Sequence, residues 1–209
     1  VTLEDKIKII YFLEDRAQDG FIKAIVERIA KEESIPTSSL ITDIRSSKRG
    51  GSRCVKEFKV FIKDSEKTGT ENVDFLVVAI DGNRKGYRDR IRELEKHIKP
   101  DHPFKNRVIY AVPDPHIERW YITDQRAFKD GVKIDKAPDL PPYKPKKDYY
   151  KQVINRALKD SGVDSSLGGA EYAERIVEKI DLDLLGKQNA GFQTFIEDLR
   201  RAFRQMRRE

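Results

Sequence analysis

"DFLVVAIDGNRKGYRDR", residues Asp74–Arg90, passes from an unbroken apolar run through a polar turn into a basic, amphipathic segment. The run "VDFLVVAI" is short, bounded by polar residues and rich in β-branched side chains, which reads as a central strand buried on both faces. It stops on Asp81, with Asn83 two residues later, just before "YRDRIRELEKHI" sets Ile91, Leu94 and Ile98 on one helical face. Ligands of open parallel sheets sit outside the carboxyl ends of the strands, so a strand closing on a carboxylate marks a candidate site. The plainer alternative is that Asp81 only begins a turn.

Working outward, "KIKIIYFL" (Lys6–Leu13) reads as strand one, and "FIKAIVERIAKEE" as a helix with Phe21, Ile25, Val26 and Ile29 facing inward. "SLITDIRS" is a short strand, "SKRGGSR" (Ser47–Arg53) a flexible basic loop, and "CVKEFKVFIKDSE" a second amphipathic helix. "RVIYAV" is a further strand, and "PDPHIERWYITD" a helix entered through Pro113 and Pro115. Strands alternating with helices predict an α/β fold, a mainly parallel four-stranded sheet flanked by helices. Residues 1–135 make that α/β domain, and "KAPDLPPYKPKK" (Lys136–Lys147), with four prolines, is a linker. Residues 148–209 are a C-terminal helical extension, whose apolar stripe from Phe192 to Met206 suits packing on the core or on a partner.

The 209 residues suffice for a substantial core. No apolar run nears the roughly 20 residues of a membrane span and no secretory segment is evident, so a soluble, cytoplasmic chain is expected. Cys54, the single cysteine, excludes an internal disulfide and a cysteine-based zinc site. A net charge of +6, with 42 basic residues interspersed among 36 acidic ones, leans mildly toward a polyanion such as nucleic acid. Lys48, Arg49 and Arg53 in the basic loop, and Arg84, Lys85, Arg88 and Arg90 beside Asp81, are the candidate contacts; a solvated surface explains them as well. The chain has no P-loop or Gly-x-Gly-x-x-Gly, and "HIE" (His116–Glu118) lacks the Pro-Cys-x-x-Cys of a zinc deaminase. Trp120 is read as a packing residue.

Glu14 closes strand one, Asp81 closes the central strand and Glu118 follows the fourth, so three carboxylates converge on one sheet edge. Left unpaired, such a set repels itself, so a divalent cation is a natural resident, and magnesium suits so open a site. Asp74 is excluded: seven strand residues put it roughly 23 Å from Asp81, at the other end of the sheet. The competing explanation is that Glu14 caps the following helix or pairs with a lysine.

"YFLEDRAQDGFIKAI" resembles the first strand and helix of a TOPRIM domain, where a glutamate closes strand one, and "VVAIDGN" resembles the TOPRIM Asp-x-Asp step. "AVPDPHIERWYITD" is similar to the Glu-x-Trp-x-x-x-Asp segment of short prokaryotic TOPRIM-like proteins of unassigned function, related to OLD-type nucleases. "GGAEYAERIVEKID" and "NAGFQTFIEDLR" resemble that family's C-terminal helices, so the likeness covers nearly the whole chain. It implies a TOPRIM/Rossmann-like sheet and a Mg²⁺- or Mn²⁺-dependent phosphodiesterase, a DNA nuclease of defence or repair working beside a separate ATPase. Glu14 and Asp81 would be catalytic and hold metal, with Asn83 and Glu118 as auxiliary ligands. The chain departs from the pattern at Asn83, whose amide brings no charge, and at Asp15, where a glycine is usual. A non-catalytic module that keeps the fold and binds nucleic acid or an ATPase is the alternative.

Overall fold

The computed structural model describes residues 6–48, 50–67 and 70–207. In the first strand, β1 (Ile7–Leu13), Ile7, Ile9, Tyr11 and Leu13 face one way and Ile10 and Phe12 the other, so it can be buried on both sides. Helix α1 (Arg16–Glu32) returns the chain to β2 (Leu40–Ser46), and α2 (Gly51–Ser65) carries it across to β3 (Phe75–Ala79). Helix α3 (Gly86–Glu95) then leads to β4 (Val108–Ala111). All pairings are parallel, in the order β2-β1-β3-β4. This is the expected α/β architecture.

From β1 the chain winds outward to β2 on one side, and from β2 it jumps back over β1 to β3 on the other. Right-handed crossovers in opposite directions must lie on opposite faces of the sheet. Accordingly α1 packs on the face of Ile9, Tyr11, Val77 and Ala79, and α2 and α3 on the face of Phe12, Leu76 and Val78. The β1/β3 boundary is therefore the topological switch point.

The chain continues as α4 (Ile117–Thr123), α5 (Gln125–Val132), α6 (Tyr149–Asp160), α7 (Ala173–Lys179), α8 (Leu182–Gln188) and α9 (Ala190–Met206). All six share the core on the α1 face. Phe192, Phe195, Ile196, Leu199 and Phe203 of α9 are buried, Phe203 against Phe75 of β3, while Trp120 is buried against Phe192 and Phe195. The stripe on α9 and Trp120 thus serve packing within the chain. The proline-rich stretch Lys136–Lys147 has neither helix nor strand and lies along this layer; Arg119 and Tyr150 donate to the carbonyls of Pro141 and Pro142. Among the described residues no helix is long and apolar enough to cross a membrane.

Three local features differ from expectation. Helix α1 begins before Phe21 because the Asp15 side chain caps it, accepting from the Gln18 N–H at 3.2 Å. Helices α5 and α8 escape the apolar pattern, being short; Asp124 and Asp181 cap them, and Asp124 also accepts the Asp181 N–H at 2.9 Å. The segment expected as a flexible basic loop is held: the Ser47 hydroxyl and the Lys48 N–H both donate to Glu57, and α2 already begins at Gly51.

The end of α9 is fastened to the end of α1 by Arg204, which grips the Glu33 carboxylate at 2.7 and 2.9 Å. The Arg204 hydrogen bonds, ahead of any opposing burial, hold the Glu33 carboxyl below the usual range. A lowered folded-state pKa gives stability that is full above the ordinary carboxylate range and lost as the pH falls through the lowered value. Glu33→Gln should therefore melt below the wild type at neutral pH, and thermal melts at decreasing pH should show the gap closing.

Candidate functional site

Glu14 and Asp81 lie where β1 and β3 end. The Glu14 N–H donates to the Ala79 carbonyl at 2.9 Å, extending the parallel ladder just past the strands. The Glu14 side chain then reaches across, its Oε2 accepting the Asp81 N–H at 2.8 Å. Gln18, one turn into α1 and fully buried, closes the frame. Its amide oxygen accepts from the Glu14 N–H and its Nε2 donates to Asp81 Oδ1, both at 2.9 Å. Asp81 Oδ2 shares a hydrogen bond with Nδ1 of His116 at 3.1 Å. On the main chain, the Asp81 carbonyl accepts from Arg90 Nε at 3.0 Å and Asn83 Nδ2 at 3.1 Å.

The turn after Asp81 is held as tightly as its side chain. Gly82 and Asn83 donate their N–H groups to the carbonyls of Pro113 and Pro115, at 2.7 and 2.8 Å, which joins the exits of β3 and β4. A Cβ on Gly82 would lie 3.1 Å from both the Pro113 oxygen and the Gly86 carbonyl carbon. Asn83 adopts φ 54°, the left-handed region that asparagine tolerates better than most residues. The amide at this position thus has a backbone role of its own.

Electrostatics follow from crowding. Burial first, and then the charges of Glu14 and Glu118, push the Asp81 carboxyl well above the usual range against the opposing His116 hydrogen bond. Glu118, in the first turn of α4, is raised chiefly by burial and also by Asp15, against its own backbone hydrogen bond, His116 and Lys151. Burial opposes a charged His116, yet the hydrogen bond and charge of Asp81, with Glu118 and Glu14, outweigh it and raise its pKa. His116 Nε2 is buried without a hydrogen-bond partner among the described residues.

Of the residues singled out in the sequence, the fold brings Glu14 and Asp81 into one frame, with Glu118 near enough for its charge to bear on Asp81. Asp74 instead opens β3 at the far end, accepting the Lys8 N–H. Among the basic candidates Arg53 and Arg84 are exposed, Lys48 is exposed beside Glu57, Lys85 pairs with Glu93 at 2.6 Å, and Arg88 donates to the Tyr87 hydroxyl. Arg49 lies outside the described residues. Arg90, which the sequence groups with the surface cations, is buried between the Asp81 carbonyl and Glu93. Gln18 and His116 are the other members that sequence reasoning misses. Only the four-residue spacing from Glu14 hints at Gln18, and His116 is visible only as a neighbour of Glu118.

The donor set fits a hard divalent cation in kind: Glu14 and Asp81 are buried side by side, the half-buried Glu118 bears on Asp81 through its charge, and the Asp81 and Glu118 carboxyls are both raised in pKa. Among the described residues Glu14 and His116 hydrogen-bond to Asp81, and no three of these groups converge on a metal position.

A sheet of this order defines an α/β protein, and the polar residues gathered at its switch point make that the candidate ligand site. The family described as "Domain of unknown function (DUF4276)" matches residues 13–200, and the chain belongs to that family. No curated protein and no solved structure matches the chain.

Because Gly82 is pressed between two stretches of backbone, Gly82→Ala should cost about 1–3 kcal/mol, read from chemical or thermal unfolding.

Proposed function

We propose that the chain is a metal-dependent phosphodiesterase of TOPRIM type, a nuclease that acts on DNA in defence or repair in the cytoplasm. One observation carries the reading: Glu14 and Asp81, from the ends of neighbouring strands at the switch point, are tied into a single hydrogen-bonded frame with Glu118 beside it.

Glu14, Asp81 and Glu118 would hold Mg²⁺ or Mn²⁺, with the Asn83 amide oxygen as an uncharged auxiliary donor. Such an ion polarises a phosphodiester and lowers the pKa of a bound water. The chain's own residues prepare the site. Gln18 fixes the rotamer of Asp81 from one side and His116 from the other, while Arg90 anchors the Asp81 main chain. Arg84 and Arg88, exposed next to the turn, supply positive potential for a phosphate backbone, and Lys48 and Arg53 do so from the neighbouring loop and helix.

A second reading, a non-catalytic module that binds nucleic acid or a partner ATPase, is favoured by a different observation. Both Asp81 carboxylate oxygens already accept or share hydrogen bonds, from Gln18 and His116, and Asn83 contributes no charge.

Plasmid nicking in Mn²⁺ separates the two. The nuclease reading expects nicking by the wild type, a loss of about a hundredfold or more in both Glu14→Ala and Asp81→Ala, and tighter Mn²⁺ binding in Asn83→Asp. Nicking that survives both alanine variants, or a folded wild type that binds DNA and never cuts it, defeats the proposal.

His116 acts through Asp81 in this scheme. His116→Gln, which can still donate a hydrogen bond, should lower cutting less than His116→Ala. Mn²⁺ affinity, measured by titration calorimetry, should follow the same order.

A further inference from the structure

β2 is the end strand of the sheet, and among the described residues no strand pairs with its outer side. The opposite edge is protected: Ile109, Tyr110 and Ala111 of β4 are buried. β2 is instead exposed or half-exposed along its whole length, and Ile41 is 44% exposed. Seven residues of open edge are long for a solitary chain, which ordinarily blunts such an edge.

The peptide groups of β2 alternate in direction. The Ser47 N–H donates to Leu13 of β1 at 2.8 Å, so the odd-numbered residues face β1 and Leu40, Thr42, Ile44 and Ser46 direct their N–H and C=O groups outward. The side chains of Asp43 and Arg45 stand on one face of the sheet, two residues apart. Within the chain they pair with each other at 2.6 Å, both about half exposed.

We propose that this edge is a self-pairing surface, through which two copies of the chain join β2 to β2 antiparallel and extend the sheet from four strands to eight. In an antiparallel pair, residues with outward peptide groups must oppose one another, so the two-fold axis passes through a residue. An axis at Asp43 or at Arg45 sets like charge against like. An axis at Ile44 sets Asp43 of each copy opposite Arg45 of the other, twice. Those positions are non-hydrogen-bonded pairs, where side chains approach most closely. The same axis brings the two Ile44 side chains together on the α1 face, where Ile44 already packs against the core. Edge charges of one sign repel a second copy; here the signs alternate and complement themselves. Because the copies run antiparallel, their two candidate sites fall at opposite ends of the joined strands, and the pairing does not depend on the phosphodiesterase reading.

Sedimentation of the full chain over a concentration series, with far-UV circular dichroism as the check on folding, tests the pairing. The wild type should form a dimer in a concentration-dependent manner. Asp43→Arg alone and Arg45→Asp alone each turn two attractive pairs into two repulsive ones and should weaken association about tenfold or more. The double variant Asp43→Arg/Arg45→Asp rebuilds both pairs and should restore it. In the wild type, amide hydrogen exchange at Thr42 and Ile44 should slow as concentration rises. A chain that stays monomeric throughout, a dimer indifferent to the single reversals or unrescued by the double one, or exchange at Thr42 and Ile44 that ignores concentration overturns the proposal.

Discussion

A carboxylate taken out of water must be hydrogen-bonded or neutralised, and Asp81 is where this fold meets that demand. Its backbone and side chain are gripped from four directions: by Glu14 at the end of β1, by Gln18 in α1, by Arg90 in α3 and by His116 at the start of α4. Hydrogen bonds to a charged group contribute about 1.5–3 kcal/mol each, and removing one partner leaves the desolvation cost standing. The site is therefore also a junction. The elements that cover the two faces of the sheet are registered against each other through this one residue.

The C-terminal helices belong to the same arrangement. A two-faced sheet needs cover on both sides, and on the α1 face that helix alone does not reach across to β4 and the start of β3. Helix α9 fills that gap with Phe195, Leu199 and Phe203. The cover also supports the site, because Trp120, on the helix that begins just after His116, is wedged against Phe192 and Phe195. Asp124, at the end of that helix, caps α5 and holds the start of α8. In the segment Glu118–Asp124 the glutamate bears on Asp81 through its charge, while Trp120 and Asp124 fasten the helix to the rest.

The cluster balances two opposed tendencies. Burial and the charges of Glu14 and Glu118 raise the proton affinity of Asp81, while the His116 hydrogen bond draws it back down. The arrangement suits a polar ligand arriving at the strand ends, a cation in the reading favoured above. Asn83 fits the same picture from the side of the backbone, since the turn that carries it requires a positive φ.

By itself the sequence determined β1, β3 and β4, because each is a short apolar run with polar boundaries, and the long helices, because their apolar residues recur every three to four positions; β2, with Thr42, Asp43 and Arg45 exposed, carries a weaker signal. It determined also that Glu14 and Asp81 stand at strand ends, since both directly follow such runs. Only the tertiary structure decided that the strands lie in the order β2-β1-β3-β4, which makes those two ends neighbours. It likewise decided that Gln18, Arg90 and His116 turn toward Asp81, and that short α5 and α8 form on aspartate caps. The physical reason is one of range. Periodicity and strand punctuation are local properties of the chain, whereas a hydrogen bond between residues 63 or 35 positions apart exists only once the sheet has brought them within 3 Å or so.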